Sequence, residues 1–112
     1  MAQSSYMQEY TQAALTAPGR GVVIDTSDFG QVPGAFEAII ASIDTNVTIR
    51  IDYSSSATFA SDVVEGVPIT ITSNKSVVLP ILPIRRYAAL NFVSETGGTA
   101  ATVAGNAVIF RS

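Results

Sequence analysis

An all-β fold is predicted: a jelly-roll-like β-sandwich of about seven strands with an N-terminal arm or short helix. Three observations lead there. Apolar and polar residues alternate with a period of two in several runs, turn-forming clusters separate those runs, and helical spacing occurs only over residues 4–15. The 112-residue length supports one domain, divided into an arm over residues 1–20 and a single sandwich over residues 21–112.

The elements follow in chain order. In residues 4–15 a helix places Tyr6, Met7, Tyr10, Ala13 and Ala14 roughly on one face, and an extended arm accommodates the same residues equally well. Gly19-Arg20-Gly21 reads as a flexible joint rather than a phosphate cradle, because a strand and not a helix follows it. Residues 22–24 form a short first strand. Residues 36–42 are a mostly apolar run, and Val47, Ile49, Ile51 and Tyr53 alternate with Thr48, Arg50 and Asp52. Asp44-Thr45-Asn46 lies between these two, so they read as a hairpin. Residues 54–66 form the longest loop, in which Phe59 either anchors the loop or plugs the end of the sandwich.

Ile69 and Ile71 alternate with Thr70 and Thr72. Residues 77–84 are apolar on both faces and contain Pro80 and Pro83, which makes them an edge strand or an extended connection. Ala88, Leu90 and Phe92 share one face of the next strand, and residues 102–110 form the last, interrupted by Gly105. Between these two lies Glu95-Thr96-Gly97-Gly98-Thr99, whose glycines supply the positive φ of a hairpin.

Composition narrows the function. There is no Cys, His or Trp, which excludes disulfides, thiolate and imidazole metal sites and the Ser-His-Asp triad. Asp25 with Asp28, and Asp62 with Glu65, read as solvated turn acids rather than catalytic pairs, since nothing marks one member for a raised pKa. No catalysis, cofactor, metal or small-molecule substrate is expected. A pI of 4.6 opposes direct nucleic-acid binding. No apolar run is long enough to span a membrane, and residues 1–20 lack the basic start and apolar stretch of a signal peptide.

Charged residues are only 13% of the chain and hydrophobic residues 47%, with mean hydropathy +0.36. A soluble domain ordinarily carries about 25% charge. So bare a surface is covered by small polar residues, by partner chains, or by both. The two-faced run at residues 77–84 needs a second cover. Another subunit, a neighbouring protein, residues 13–18 and the long loop all qualify. Arg85-Arg86 reads either as a grip on an acidic partner or as a solvated strand entry.

Several stretches resemble a known family. These are Leu79-Pro80-Ile81, Arg86-Tyr87-Ala88-Ala89-Leu90-Asn91-Phe92, the Gly97-Gly98 turn and Thr102-Val103-Ala104-Gly105-Asn106-Ala107-Val108-Ile109. Together they resemble the small jelly-roll capsid cement (decoration) proteins of tailed bacteriophages. Gln12-Ala13-Ala14-Leu15-Thr16-Ala17 followed by Val23-Ile24-Asp25 is similar to that family's opening arm and first strand. The likeness is discontinuous, and the Ser-rich loop and residues 1–6 depart from it.

The resemblance implies a structural virion protein with no catalytic residues. It implies a homo-oligomer, dimer or trimer, assembled in the host cytoplasm and seated on the outer surface of the capsid. There it would bind the major capsid protein and tie capsomers together. Candidate partner contacts are Tyr6, Met7, Tyr10 and Leu15 in the arm and the pair Arg85 and Arg86. The rival reading is a small β-sandwich binding module, carbohydrate-binding or fibre-associated, with Tyr53 and Tyr87 as stacking rings; the lack of Trp counts against it.

Overall fold

A computed structural model of the chain describes the backbone of residues 6–26, 34–82 and 84–111, and the side chains of residues 10–26, 34–82 and 84–107. The alternating runs become strands: β1 (Tyr6–Leu15), β2 (Gly19–Arg20), β3 (Ile24–Asp25), β4 (Gly34–Ala41), β5 (Asn46–Ser54), β6 (Val64–Glu65), β7 (Ile69–Ile71), β8 (Lys75–Ile81), β9 (Tyr87–Thr96) and β10 (Thr102–Arg111). They form two antiparallel sheets. The first runs β1-β10-β4-β8; the second runs β2-β9-β5-β6, with β3 also on β9 and β7 also on β5. With β2 and β3 taken as one interrupted strand, and β6 and β7 as another, this is the eight-position order of a jelly roll.

The period-two pattern sets the core. On β5, Val47 and Ile49 are fully buried, and Ile51 and Tyr53 nearly so, while Ala88, Leu90 and Phe92 of β9 face the same way. From the first sheet Phe36, Ile40, Leu79, Ile81 and Val103 meet them. Gly105 of β10 sits opposite Ala38 with φ +153°, and a Cβ there would strike the Glu37 carbonyl oxygen of β4, so only glycine allows the two strands to approach. The accessible area is 5922 Å², close to the roughly 5,900 Å² that size scaling gives a folded monomer of this mass.

Both expected hairpins are corrected. β4 belongs to the first sheet and β5 to the second, so residues 42–45 carry the chain across the sandwich; Ser42 has φ 60° where it leaves β4. The glycine turn behaves likewise. Gly97 has the positive φ expected of it, at 90°, yet β9 and β10 lie in opposite sheets. In a jelly roll nearly every connection changes sheets, and turn-forming residues serve a crossover as well as a hairpin.

The helical alternative for residues 4–15 is also corrected. Within the described residues this segment is β1, paired with β10 from Tyr6↔Arg111 to Gln12↔Gly105. Tyr10 and Gln12 point inward, and Thr11 and Ala13 are exposed. Pairing with a ten-residue neighbour overrides the helix propensity of Gln, Ala and Leu. The segment read as an arm is therefore a sheet edge, and Gly19–Arg20 beyond it pairs with β9. Residues 77–84 supply an edge strand as expected, with Pro80 on β8 opposite Ala35.

Candidate functional site

Four charged side chains of this sparsely charged chain meet on the outer face of the second sheet. Alternation turns Arg50 and Asp52 of β5 away from the core. Arg20 of β2 and Asn91 of β9 stand opposite each other on that face, and Glu65 of β6 stands opposite Asp52. The Asp52 side chain is fully buried there. Arg20 Nε donates to Asp52 Oδ2 at 2.9 Å, Asn91 Nδ2 donates to the same oxygen at 2.8 Å, and Arg50 Nε donates to Oδ1 at 2.6 Å. Arg50 Nη2 then reaches Glu65 Oε2 at 2.9 Å. Burial pushes the Asp52 carboxyl up, and the hydrogen bonds from Arg50, Asn91 and Arg20 outweigh it, so its pKa lies below the ordinary carboxylate value.

The Ser-rich loop leaves the end of β5 and reaches the same cluster. Ser54 Oγ donates to the Ser61 carbonyl at 2.7 Å and accepts from Ser56 N–H at 3.0 Å, which curls the loop back towards the end of β5. Phe59 is 9% exposed and lies outside the core cluster, with the Arg20 guanidinium 4.8 Å from its ring centroid. Of the two readings of Phe59, the anchor holds: the ring fastens the loop to the outer face rather than plugging the interior. Among the described residues no buried side-chain polar atom of this cluster lacks a hydrogen-bond partner.

The sandwich closes along one side and opens along the other. On the closed side, Gln12 Oε1 accepts from Val22 N–H, and Tyr10 O–H donates to the Asp25 carbonyl at 3.3 Å, linking β1 to residues 22–25. On the open side, β8 of the first sheet faces β6 and β7 of the second across a groove of about 300 Å³. Ile51, Tyr53 and Leu79 floor it, while Val64, Val67, Ile69, Pro80, Leu82 and Ile84 wall it; Glu65 is its one charged lining residue. Val67 is 83% exposed, and Ile69, Leu82 and Ile84 also remain exposed. Tyr53 O–H accepts from Leu82 N–H at 3.1 Å across the groove floor. Burial raises the Tyr53 pKa, so the hydroxyl stays neutral there.

The outer face of the first sheet contrasts with the second. Its outward positions include Thr11, Ile39, Ser76, Val78, Ala104 and Asn106, and Glu37 is the one charged residue among the described ones. Val78 is 65% exposed. The two-faced run at residues 77–84 therefore divides its apolar side chains: Leu79 and Ile81 enter the core, Val78 faces outward, and Leu82 and Ile84 reach the groove.

The residues anticipated from sequence fall as follows. Tyr10 and Leu15 pack partly buried against the core. The side chains of Tyr6 and Met7, and all of Asp28 and Pro83, lie outside the described residues. Arg85 Nε pairs with Asp62 Oδ2 at 2.8 Å, and Arg86 Nη2 pairs with Asp25 Oδ2 at 3.3 Å. The acids read as solvated, Asp25, Asp62 and Glu65, are each bonded to an arginine. The two rings considered for sugar stacking are engaged as well: Tyr53 is 4% exposed, and the Arg86 guanidinium lies 5.0 Å from the Tyr87 ring centroid. The groove's far wall, Val67 and Ile69, was not anticipated; its signal was an apolar pair flanking Pro68 directly after the long loop.

Among the described residues no group of three Asp or Glu is placed to hold a metal ion. Compared with known proteins, the chain matches no family model and no curated protein.

Proposed function

We propose that this chain is a structural virion protein, a capsid cement (decoration) protein that seats on the outside of a phage head and ties neighbouring capsomers together. One observation carries the reading. Four of the chain's five arginines, Arg20, Arg50, Arg85 and Arg86, pair with its own acids, while uncovered apolar surface collects at the open sandwich edge around Val67, Ile69, Leu82 and Ile84. These pairs engage most of the chain's cations within the fold, and the apolar edge is the feature of the exterior that favours a partner. The jelly-roll strand order agrees with the family resemblance of the C-terminal half.

The energetics fit such a clamp. Burying about 400 Å² of apolar surface releases roughly 10 kcal/mol gross at 25 cal/mol per Å². Ordering and rigid-body entropy consume much of that. Many copies engaging one symmetric shell recover it through multivalency. The groove is the surface assigned to the major capsid protein. The carbohydrate-module reading is weaker, because Tyr53 and Tyr87 are already engaged within the chain.

Co-sedimentation tests the proposal. The chain should pellet with assembled shells and remain in the supernatant with unassembled capsid protein. A chain that stays in the supernatant with both contradicts the cement role.

A further inference from the structure

The sheet edges of this molecule are not treated alike. An edge strand offers a row of unpaired N–H and C=O groups, and proteins blunt such rows with short strands, Pro, Lys or bulges. Four of the edge strands are short: β2, β3 and β6 have two residues each and β7 has three. The fifth, β8, carries Lys75 at its start and Pro80 near its end, and Leu82 N–H just beyond is taken by the Tyr53 hydroxyl. β1 is different. It runs ten residues and contains no Pro and no Lys, and its one irregularity falls after Gln12. From Tyr6 to Gln12 it is in regular register with β10, and among the described residues no other strand pairs with it.

We propose that the outer edge of β1 pairs antiparallel with β1 of a second copy of this chain, joining the two first sheets into one continuous sheet. The occupant is a second copy because one self-complementary interface then removes both exposed edges at once, the isologous arrangement of a two-fold dimer. Charge permits it: Glu9 is the single charged residue of β1, and the whole chain carries only −3. The fold also restricts the register. Tyr10 and Gln12 face inward, so both copies keep their inward residues on one side only if the two-fold axis passes through a residue of β1 rather than between two. An axis through Glu9 would set the two carboxylate-bearing positions opposite each other. Axes through Gln8 or Tyr10 set Glu9 opposite Met7 or Thr11 of the second copy. This pairing stands independently of the virion role.

Amide hydrogen exchange by NMR on the unmodified chain, with its solution mass measured at the same concentration, tests the proposal. A bare edge strand protects alternate amides, those bonded to β10, and leaves the others exchanging freely. Strand addition protects consecutive amides from Met7 to Thr11, together with a mass twice that of the 11.7 kDa chain. Alternating protection overturns the proposal at either mass, because any dimer then forms elsewhere. Consecutive protection at the mass of one chain also overturns it, because the edge is then covered from within the chain. None of these outcomes bears on shell binding, which is read separately by co-sedimentation.

Discussion

Replacing Asp52 by Ala removes the acceptor shared by Arg20, Arg50 and Asn91. Breaking a buried ion pair by deleting one partner costs about 3–5 kcal/mol, because the other charge stays behind uncompensated. Here the orphaned cations keep some water: the Arg20 side chain is 37% exposed and that of Arg50 17%. Solvent screening places the loss at the low end, about 3 kcal/mol. For a domain of this size that lowers Tm by about 12 °C. Thermal and urea melts followed by circular dichroism read it. Asp52→Asn keeps the shape and an acceptor oxygen, so it should fall between wild type and Asp52→Ala.

The same residue gives a pH signature. Its folded-state pKa lies below the unfolded value, so its contribution is complete above the unfolded pKa of about 3.9 and disappears as pH falls through the folded value. Wild type should lose stability on acidification below about pH 4, and Asp52→Asn should lose less over that window. A Tm change under about 2 °C for Asp52→Ala would refute the claim that this carboxylate holds the outer face together.

Four further substitutions separate fold from surface. Gly105→Ala should cost about 1–3 kcal/mol in a urea melt, because its Cβ meets the Glu37 carbonyl oxygen. Val67→Asp should change stability by less than about 0.5 kcal/mol, since the side chain is 83% exposed. It should nevertheless abolish co-sedimentation with shells if the groove is the docking surface. Arg85→Ala and Arg86→Ala should each cost about 0–1 kcal/mol, as exposed ion pairs do, and leave the salt dependence of shell binding unchanged.

Much of the core was legible because it rests on local alternation. Val47, Ile49, Ile51 and Tyr53 announce an inward face, and the structure buries all four. Sheet membership was not legible. Asp44-Thr45-Asn46 and Gly97-Gly98 mark reversals, but a reversal within one sheet and a crossing between two use the same residue types. β1 was ambiguous because Tyr10, Ala13 and Ala14 fit a helical stripe, while Tyr10 and Gln12 fit a strand face; pairing with β10 decided it.

The outer-face cluster was hidden for a different reason. Arg50 and Asp52 look like ordinary solvent-facing charges, and their convergence with Arg20 and Asn91 depends on how β2 and β5 flank β9, which no local pattern records. At the open edge, the excess of apolar residues at positions 77–84 was visible in the sequence. Its opposite wall depends on how β7 pairs with β5, which no local pattern records.

On the proposed role, the apolar edge around Leu82 and Val67 is covered when the protein seats on a shell. Calorimetric titration of assembled shells at several temperatures tests it most directly, because burial of apolar surface gives a negative heat-capacity change. Covering about 400 Å² predicts about −0.2 kcal/mol/K per bound chain, with the signal lost in Leu82→Asp. A heat-capacity change near zero, or an undiminished one in Leu82→Asp, would contradict it.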